Sequence, residues 1–450
     1  MVKDMTEGRP LKLIVAFYIP MLFGNIFQQF YSMVDSIIVG RFVGVNALAG
    51  VGATGSLSFL IIGFANGICS GYSILYGQRF GAKDYNGMRR YIMNSLYLSL
   101  IISAILTPIT MLCCRGMLQL MDTPTEIIGE AYDYFIVILA GIFFTMMYNV
   151  SAAILRSIGD SRTPLIMLII ASLVNIVLDI VLVVYVHMGV RGAAVATIVS
   201  QAAAGGICFL YMFRKYEILR PSREEMRLQL TRFRELLGVG IPMALQSSIT
   251  AIGSILLQYA INGLGAASVA AVTAAEKING ICIGVIEMIG ISLVTYSSQN
   301  VGAGKIARVH QGMKSAMLFA FGICAALLLI VMPFGRALCT LFLDAGEGQL
   351  LDMAQQYLRI NAAFYPVIVL LIVYRYTVQG MGFSTLAMLA GVSELAGRAV
   401  ASFGLTALWG FIGVSLASPT AWIFATIILL FCYRYASRKV SERAAIMKRS

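Results

Sequence analysis

The sequence predicts an all-α integral membrane protein: twelve transmembrane helices in two parallel six-helix repeats, related by a pseudo-two-fold along the membrane normal. Three observations carry this reading. Of 450 residues, 59% are hydrophobic and only 12% charged, with a mean hydropathy of +0.85, whereas a soluble domain carries about 25% charged residues. Apolar segments recur at lengths near the roughly 20 residues that cross a bilayer. The second half of the chain echoes the first. A soluble fold is excluded, and one polytopic membrane domain replaces the several soluble domains that this length would otherwise imply.

The segments fall at about 11–39, 47–77, 90–114, 127–154, 163–186, 190–213, 234–262, 268–299, 312–334, 353–378, 384–406 and 409–433, each able to span with some tilt. The first follows MVKDMTEGRPLK and lacks the short apolar core and small-residue cleavage site of a signal peptide, so it is read as a retained span. Between the sixth and seventh lies RKYEILRPSREEMRLQLTRFRE, a polar linker with an amphipathic helical part. The expected organisation is an N-terminal lobe over 1–213, a cytoplasmic linker over 214–233, a C-terminal lobe over 234–434 and a basic tail over 435–450.

Lys and Arg set the orientation. Of 33, Arg41, Arg115, Arg191 and Arg336 fall on one side, and Lys277, Arg359, Arg375 and Arg398 inside the spans; all others share the opposite side. That bias places both termini in the cytoplasm, in a multi-pass protein of the inner (cytoplasmic) membrane. It also accounts for the formal charge of +12, so nucleic acid is not an expected partner. The eight cysteines lie in or beside apolar segments, without the spacing of a zinc site or disulfide framework, and read as small buried hydrophobes.

The repeat is visible residue by residue. An offset of 221 matches Gly44 with Gly265, Val51 with Val272, Gln78 with Gln299 and Gly81 with Gly302, and an offset one longer aligns Ile19–Met21 with Ile241–Met243, both IPM. Six spans per half is even, so both halves enter the membrane alike. A cleft between parallel repeats favours alternating access.

Polar groups at membrane depth usually face a cavity or a partner. Asp35 lies near the outer end of span 1, and Asp179 in the outer half of span 5 with Asn175 one turn earlier on the same face. Span 6 runs inward from about Arg191, which puts Thr197 roughly 10 Å below the outer surface. Two carboxylates together in low dielectric resist double ionisation, so this level is expected to bind a proton or another cation. The competing reading is that each group separately hydrogen-bonds a neighbouring helix. Pro20, in mid-span, removes a backbone hydrogen bond and permits either a moving bend, which would shift Asp35, or a static kink. Gln28, Tyr31, Asn149 and Glu287 are candidates for lining a substrate cavity. Glu287 has no evident partner four residues away; it either receives a cationic substrate or is solvated in the lumen. Glu276 and Lys277 are read at the start of span 8. Glu394 and Arg398, at i and i+4, read as a structural ion pair. Gly63, Gly67 and Gly71 allow close helix contact.

Other chemistries lack their signatures. VGAGKI at 301–306 has neither the spacing nor the Ser or Thr of a P-loop, and H-E-x-x-H and G-x-S-x-G do not occur. No enzyme activity, cofactor or firm metal site is expected.

The segments IPMLFGNIFQQFYSMVDSIIVGRFVG, GQRFGAKD, LRSIGDSRTP leading into NIVLD, and QNVGAGK resemble, in this order over nearly the whole chain, the multidrug and toxic compound extrusion (MATE) family, and most closely its DinF-like branch. The resemblance implies a coupling site of a helix 1 aspartate, an Asn-x-x-x-Asp pair on helix 5 and a helix 6 threonine, here Asp35, Asn175, Asp179 and Thr197, with Pro20 as the bending proline. The helix 7 glutamate of the NorM-like branch is absent from ALQSSITAIGSILLQYAI. A second-half sodium site is therefore in doubt, and protons come first, with Na⁺ at Asp35, Asn175, Asp179 and Thr197 still open. The expectation is a monomeric antiporter exporting amphipathic, often cationic organic compounds in exchange for H⁺ or Na⁺. A lipid-linked saccharide flippase of the same superfamily is the alternative within transport, and a membrane-embedded enzyme or receptor the alternative outside it.

Overall fold

The computed structural model describes residues 3–344 and 346–447, and no strand occurs among them. The first two residues of the expected N-terminal lobe and residues 448–450 of the expected tail lie outside the described residues. Lipid cannot satisfy backbone N–H and C=O groups, so apolar spans must bond internally as helices.

In chain order the helices are α1 (Pro10–Phe42), α2 (Val45–Ala53), α3 (Gly55–Gly81), α4 (Tyr85–Leu120), α5 (Ile128–Ala140), α6 (Ile142–Ser157), α7 (Arg162–Asp179) and α8 (Gly189–Lys215). After the linker come α9 (Leu230–Asn262), α10 (Ala266–Gly302), α11 (Ile306–Cys339), α12 (Gly348–Ala363), α13 (Tyr365–Gly380), α14 (Ser384–Ala399), the short α15 (Thr406–Trp409) and α16 (Phe411–Ser415), and α17 (Ala417–Met447). Ten are long and apolar enough to span, with α7 and α14 counted through their wider continuations; the bent pairs α5–α6 (49°) and α12–α13 (48°) supply two more. The twelve expected spans are thus present, but four are broken: the second at Thr54, the fourth at Gly141, the tenth at Phe364 and the twelfth at Leu416. Hydropathy sums over a window and is blind to a one-residue interruption.

The chain forms two compact units, Ile19–Ala244 with Met1–Asp4, and Leu245–Ser450 with Met5–Tyr18. The boundaries fall inside α1 and α9, next to Pro20 and Pro242 of the two IPM sequences. Both helices run continuously through their proline.

Within each unit the backbone repeats its irregularities in register. Left-handed φ at Gly44 (127°), Lys83 (58°) and Gly189 (60°) recurs at Gly265 (92°), Gly304 (68°) and Gly410 (54°), the spacing that first aligned Gly44 with Gly265. A π-helical stretch follows α7 at Ile180–Tyr185 and α14 at Val400–Leu405. Shared turns could reflect composition; shared π-helical segments, which are rare, argue for duplication.

In the first unit an apolar core of α3, α4, α5, α6 and α8 residues includes Ile61, Tyr72, Tyr76, Phe135, Ile154 and Cys208. Gly67 and Gly71 let α3 lie against α9, because a Cβ at either position would come within 2.6–2.7 Å of the backbone of Ala244 or Gly240. The linker docks on α4. Arg89 donates to both oxygens of the buried Glu225 (2.7 and 2.8 Å), and the Asn94 side chain bonds the backbone of Arg227 and Gln229. Burial alone would raise the Glu225 carboxyl, but Arg89 and the Ser222 N–H outweigh it and hold it below its usual value. In the second unit α10 packs on α11, α12 and α13, and α14 on α17. All eight cysteines are unpaired, and only Cys113 is exposed.

Candidate functional site

The first unit brings α1, α7 and α8 together at one level. Asp179, the last residue of α7, is fully buried, and Asn175 and Asp35 are 2% and 9% exposed. The Asn175 amide donates to Thr197 Oγ1 across the α7–α8 contact at 3.5 Å, a long bond. The Asp35 and Asp179 carboxyls lie within hydrogen-bonding reach of one another.

Two carboxylates can share a hydrogen bond only when one carries a proton. With both ionised, Asp35 Oδ1, both Asp179 oxygens and Asn175 Oδ1 are buried with no donor. Buried polar atoms are nearly always partnered, and an uncompensated buried carboxylate is costly. The facing Asp35 and Asp179 carboxyls could therefore accommodate a proton or another cation between them. A proton on one carboxyl satisfies part of the set; a small hard cation would take carboxylate, amide and hydroxyl oxygens together. Among the described residues no third His, Cys, Asp or Glu joins the pair, so the set lacks the donors of a tightly held transition metal.

The surroundings shape this site. Ile38, Val39, Ala47, Val183, Val190 and Ala193 form a small apolar cluster, flanked by Val34, Val43, Val51 and Tyr134, in which Val39 and Val183 lie one turn after Asp35 and Asp179. The π-helical turn begins immediately after Asp179, widening the helix where its carboxyl meets Asp35. Tyr31, one turn before Asp35, and Tyr134 of α5 lie within electrostatic range of both aspartates. Tyr134 was not legible as a site residue; its only signal was its place near the outer end of span 4, at the depth assigned to Asp35.

The other candidates divide between the units. Gln28, Tyr31 and Asn149 belong to the first, where Asn149 donates to Thr145 O (2.8 Å). Glu287 belongs to the second, on an exposed position of α10. The sequence offered Glu287 no partner four residues away on its own helix; across the unit, the Tyr376 hydroxyl of α13 donates to it at 2.8 Å. Gly290 makes this possible, since a Cβ there would sit 2.4 Å from the Tyr376 ring. The placement of Glu276 is corrected, because α10 starts at Ala266, well before it; its Oε1 accepts from Tyr357 (2.5 Å) and Asn279 (3.3 Å).

Glu394 accepts from Arg398 at 3.3 Å, as its spacing implied, but also from Arg375 of α13 at 2.5 Å. Glu394, Arg375 and Arg398 are 7%, 9% and 7% exposed. This is a buried triad in place of an isolated pair, and sequence spacing had no means of revealing the second arginine.

Comparison with known proteins places these features in a family context. The MatE family profile matches residues 20–181 and 242–403, two stretches of equal length that begin at the prolines of the two IPM sequences. Over 452 residues the chain is 28% identical to the probable multidrug resistance protein YpnP of Bacillus subtilis (strain 168), covering 98% of each chain. It is 30% identical over 238 residues to DNA damage-inducible protein F of Escherichia coli (strain K12), covering 51% of this chain and 50% of that protein. Its fold matches a crystal structure of MATE in the bent conformation with a TM-score of 0.88 at 24% identity, covering 98% of both chains.

Proposed function

From the premise that the chain belongs to the MatE family of multidrug efflux transporters, we propose that it is a secondary active antiporter, exporting amphipathic, often cationic organic compounds in exchange for inward H⁺ or Na⁺. The observation that carries this reading is the set of buried, donorless oxygens on Asp35, Asp179 and Asn175. A bound cation would satisfy such a set, and only a cation held differently in two conformations can drive transport. Asp35 and Asp179 would hold the ion; Asn175 and Thr197 would complete its contacts, and Tyr31 and Tyr134 would shape the site. Pro20 leaves one backbone carbonyl of α1 without its helical donor, which makes that point the softest in the helix carrying Asp35. Protons are the first expectation, because the pair can share one proton without further ligands.

Dye transport in proteoliposomes tests the reading. An aromatic cation such as ethidium should move against its own gradient when a pH or sodium gradient runs the other way, and only equilibrate when both are collapsed. Uphill transport that persists with both gradients collapsed would refute ion antiport.

Orientation enters as part of the same proposal: both termini and the 214–233 linker face the cytoplasm of a cell bounded by this inner membrane. The exposed Ser222 offers the check, since a Ser222→Cys variant should react with a membrane-impermeant maleimide only after the membrane is opened. Labelling in intact cells would reverse the orientation.

A further inference from the structure

Away from the acidic pair, the second unit carries a groove of about 360 Å³ formed by Met313, Lys314, Met317, Leu318 and Phe321 of α11 and Tyr374 of α13. Met313, Met317 and Phe321 repeat at four-residue spacing and so form one apolar stripe. Lys314 is exposed beside it, eight residues from the start of α11, or about 12 Å along the helix axis. A lysine stem can lie along apolar surface with its ammonium turned toward the polar boundary.

Tyr374 is held in place from behind. Its ring meets Tyr433 edge-on at 5.2 Å, the Tyr433 hydroxyl bonds His310 Nδ1 at 2.6 Å, and Ser437 Oγ lies 3.2 Å from His310 Nε2. Yet among the described residues neither the Tyr374 hydroxyl nor the Lys314 ammonium has a hydrogen-bond or ion-pair partner. The groove thus pairs an apolar wall with one cationic and one neutral donor, and contains no acid.

We propose that this groove is a binding site for an anionic glycerophospholipid, with the headgroup phosphate on Lys314 and Tyr374 and an acyl chain along Met313, Met317 and Phe321. Charge selects the occupant. A cationic drug would be repelled by Lys314, and a zwitterionic lipid brings an ammonium that offsets the attraction of its phosphate. The leaflet concerned, the cytoplasmic one, rests on the orientation proposed above; the chemistry of the groove does not.

The test is native mass spectrometry of purified protein equilibrated with phosphatidylglycerol and phosphatidylcholine of identical acyl chains. The unaltered protein should retain phosphatidylglycerol preferentially. Lys314→Met should cut that preference about fivefold, the effect of one basic residue near an anionic lipid surface, while Lys314→Arg should keep it. Met317→Trp, which fills the groove, should reduce retention of both lipids. The proposal fails if the unaltered protein shows no preference, if Lys314→Met preserves it, or if ethidium displaces the bound lipid one for one. Lipid retention is read without transport, so a failure of the efflux assay leaves this result standing, and the reverse holds too.

Discussion

Asp35→Asn is expected to abolish gradient-driven efflux while leaving a folded protein that still binds dye. The amide preserves the shape of the carboxyl and supplies its own N–H to Asp179, whose two buried oxygens otherwise have no donor. The variant therefore resembles the ion-loaded site permanently, and a carrier that cannot load and unload its ion can only equilibrate its substrate. A gradient of one pH unit offers about 1.4 kcal/mol per proton, so a coupled carrier concentrates dye up to about tenfold per proton, and an uncoupled one not at all. Expression-matched protein in vesicles, driven in turn by a pH and a sodium gradient, gives the comparison. Asp179→Asn should behave alike, because the two carboxyls face one another and the amide would likewise donate to its partner. Full uphill transport by Asp35→Asn would eliminate this residue as an essential coupling group and turn attention to Glu287 and Glu276 in the second unit.

Glu394→Gln should instead lose stability. Its carboxylate is the shared acceptor of Arg375 and Arg398, all three are buried, and the Nε atoms of both arginines already lack partners. Neutralising the acid leaves two buried guanidiniums beside each other, a change of the kind that costs about 3–5 kcal/mol against a typical total of about 5–15 kcal/mol. A clear fall in melting temperature in detergent and poor yield are expected. The triple variant Arg375→Met, Glu394→Leu, Arg398→Met should recover much of the loss, since removing a whole buried ionic cluster is far less costly than removing one member. Any folded Glu394→Gln protein should still respond to the ion gradient, which separates this triad from Asp35. A Glu394→Gln protein that melts like the unaltered one would show that the triad contributes little to stability.

Much of this was present in one dimension. Lipid offers no hydrogen bonds, so apolar length reports each span, and the lysines and arginines point to a sidedness. The IPM sequences announced the duplication, and the i, i+4 spacing of Asn175 and Asp179 placed both on one face of α7. What hydropathy does not encode is how each helix is rotated about its axis and which distant side chain it meets. The breaks at Thr54, Gly141, Phe364 and Leu416 and the π-helical turn after Asp179 change that rotation locally, with almost no trace in a windowed average. So Asp35 and Asp179 were legible as two acids at one depth, whereas their mutual contact, the nearby Tyr134, the Tyr376 partner of Glu287 and the second arginine on Glu394 were decided only in the tertiary structure. Each of those contacts joins residues on different helices, and its geometry depends on packing that no single segment specifies.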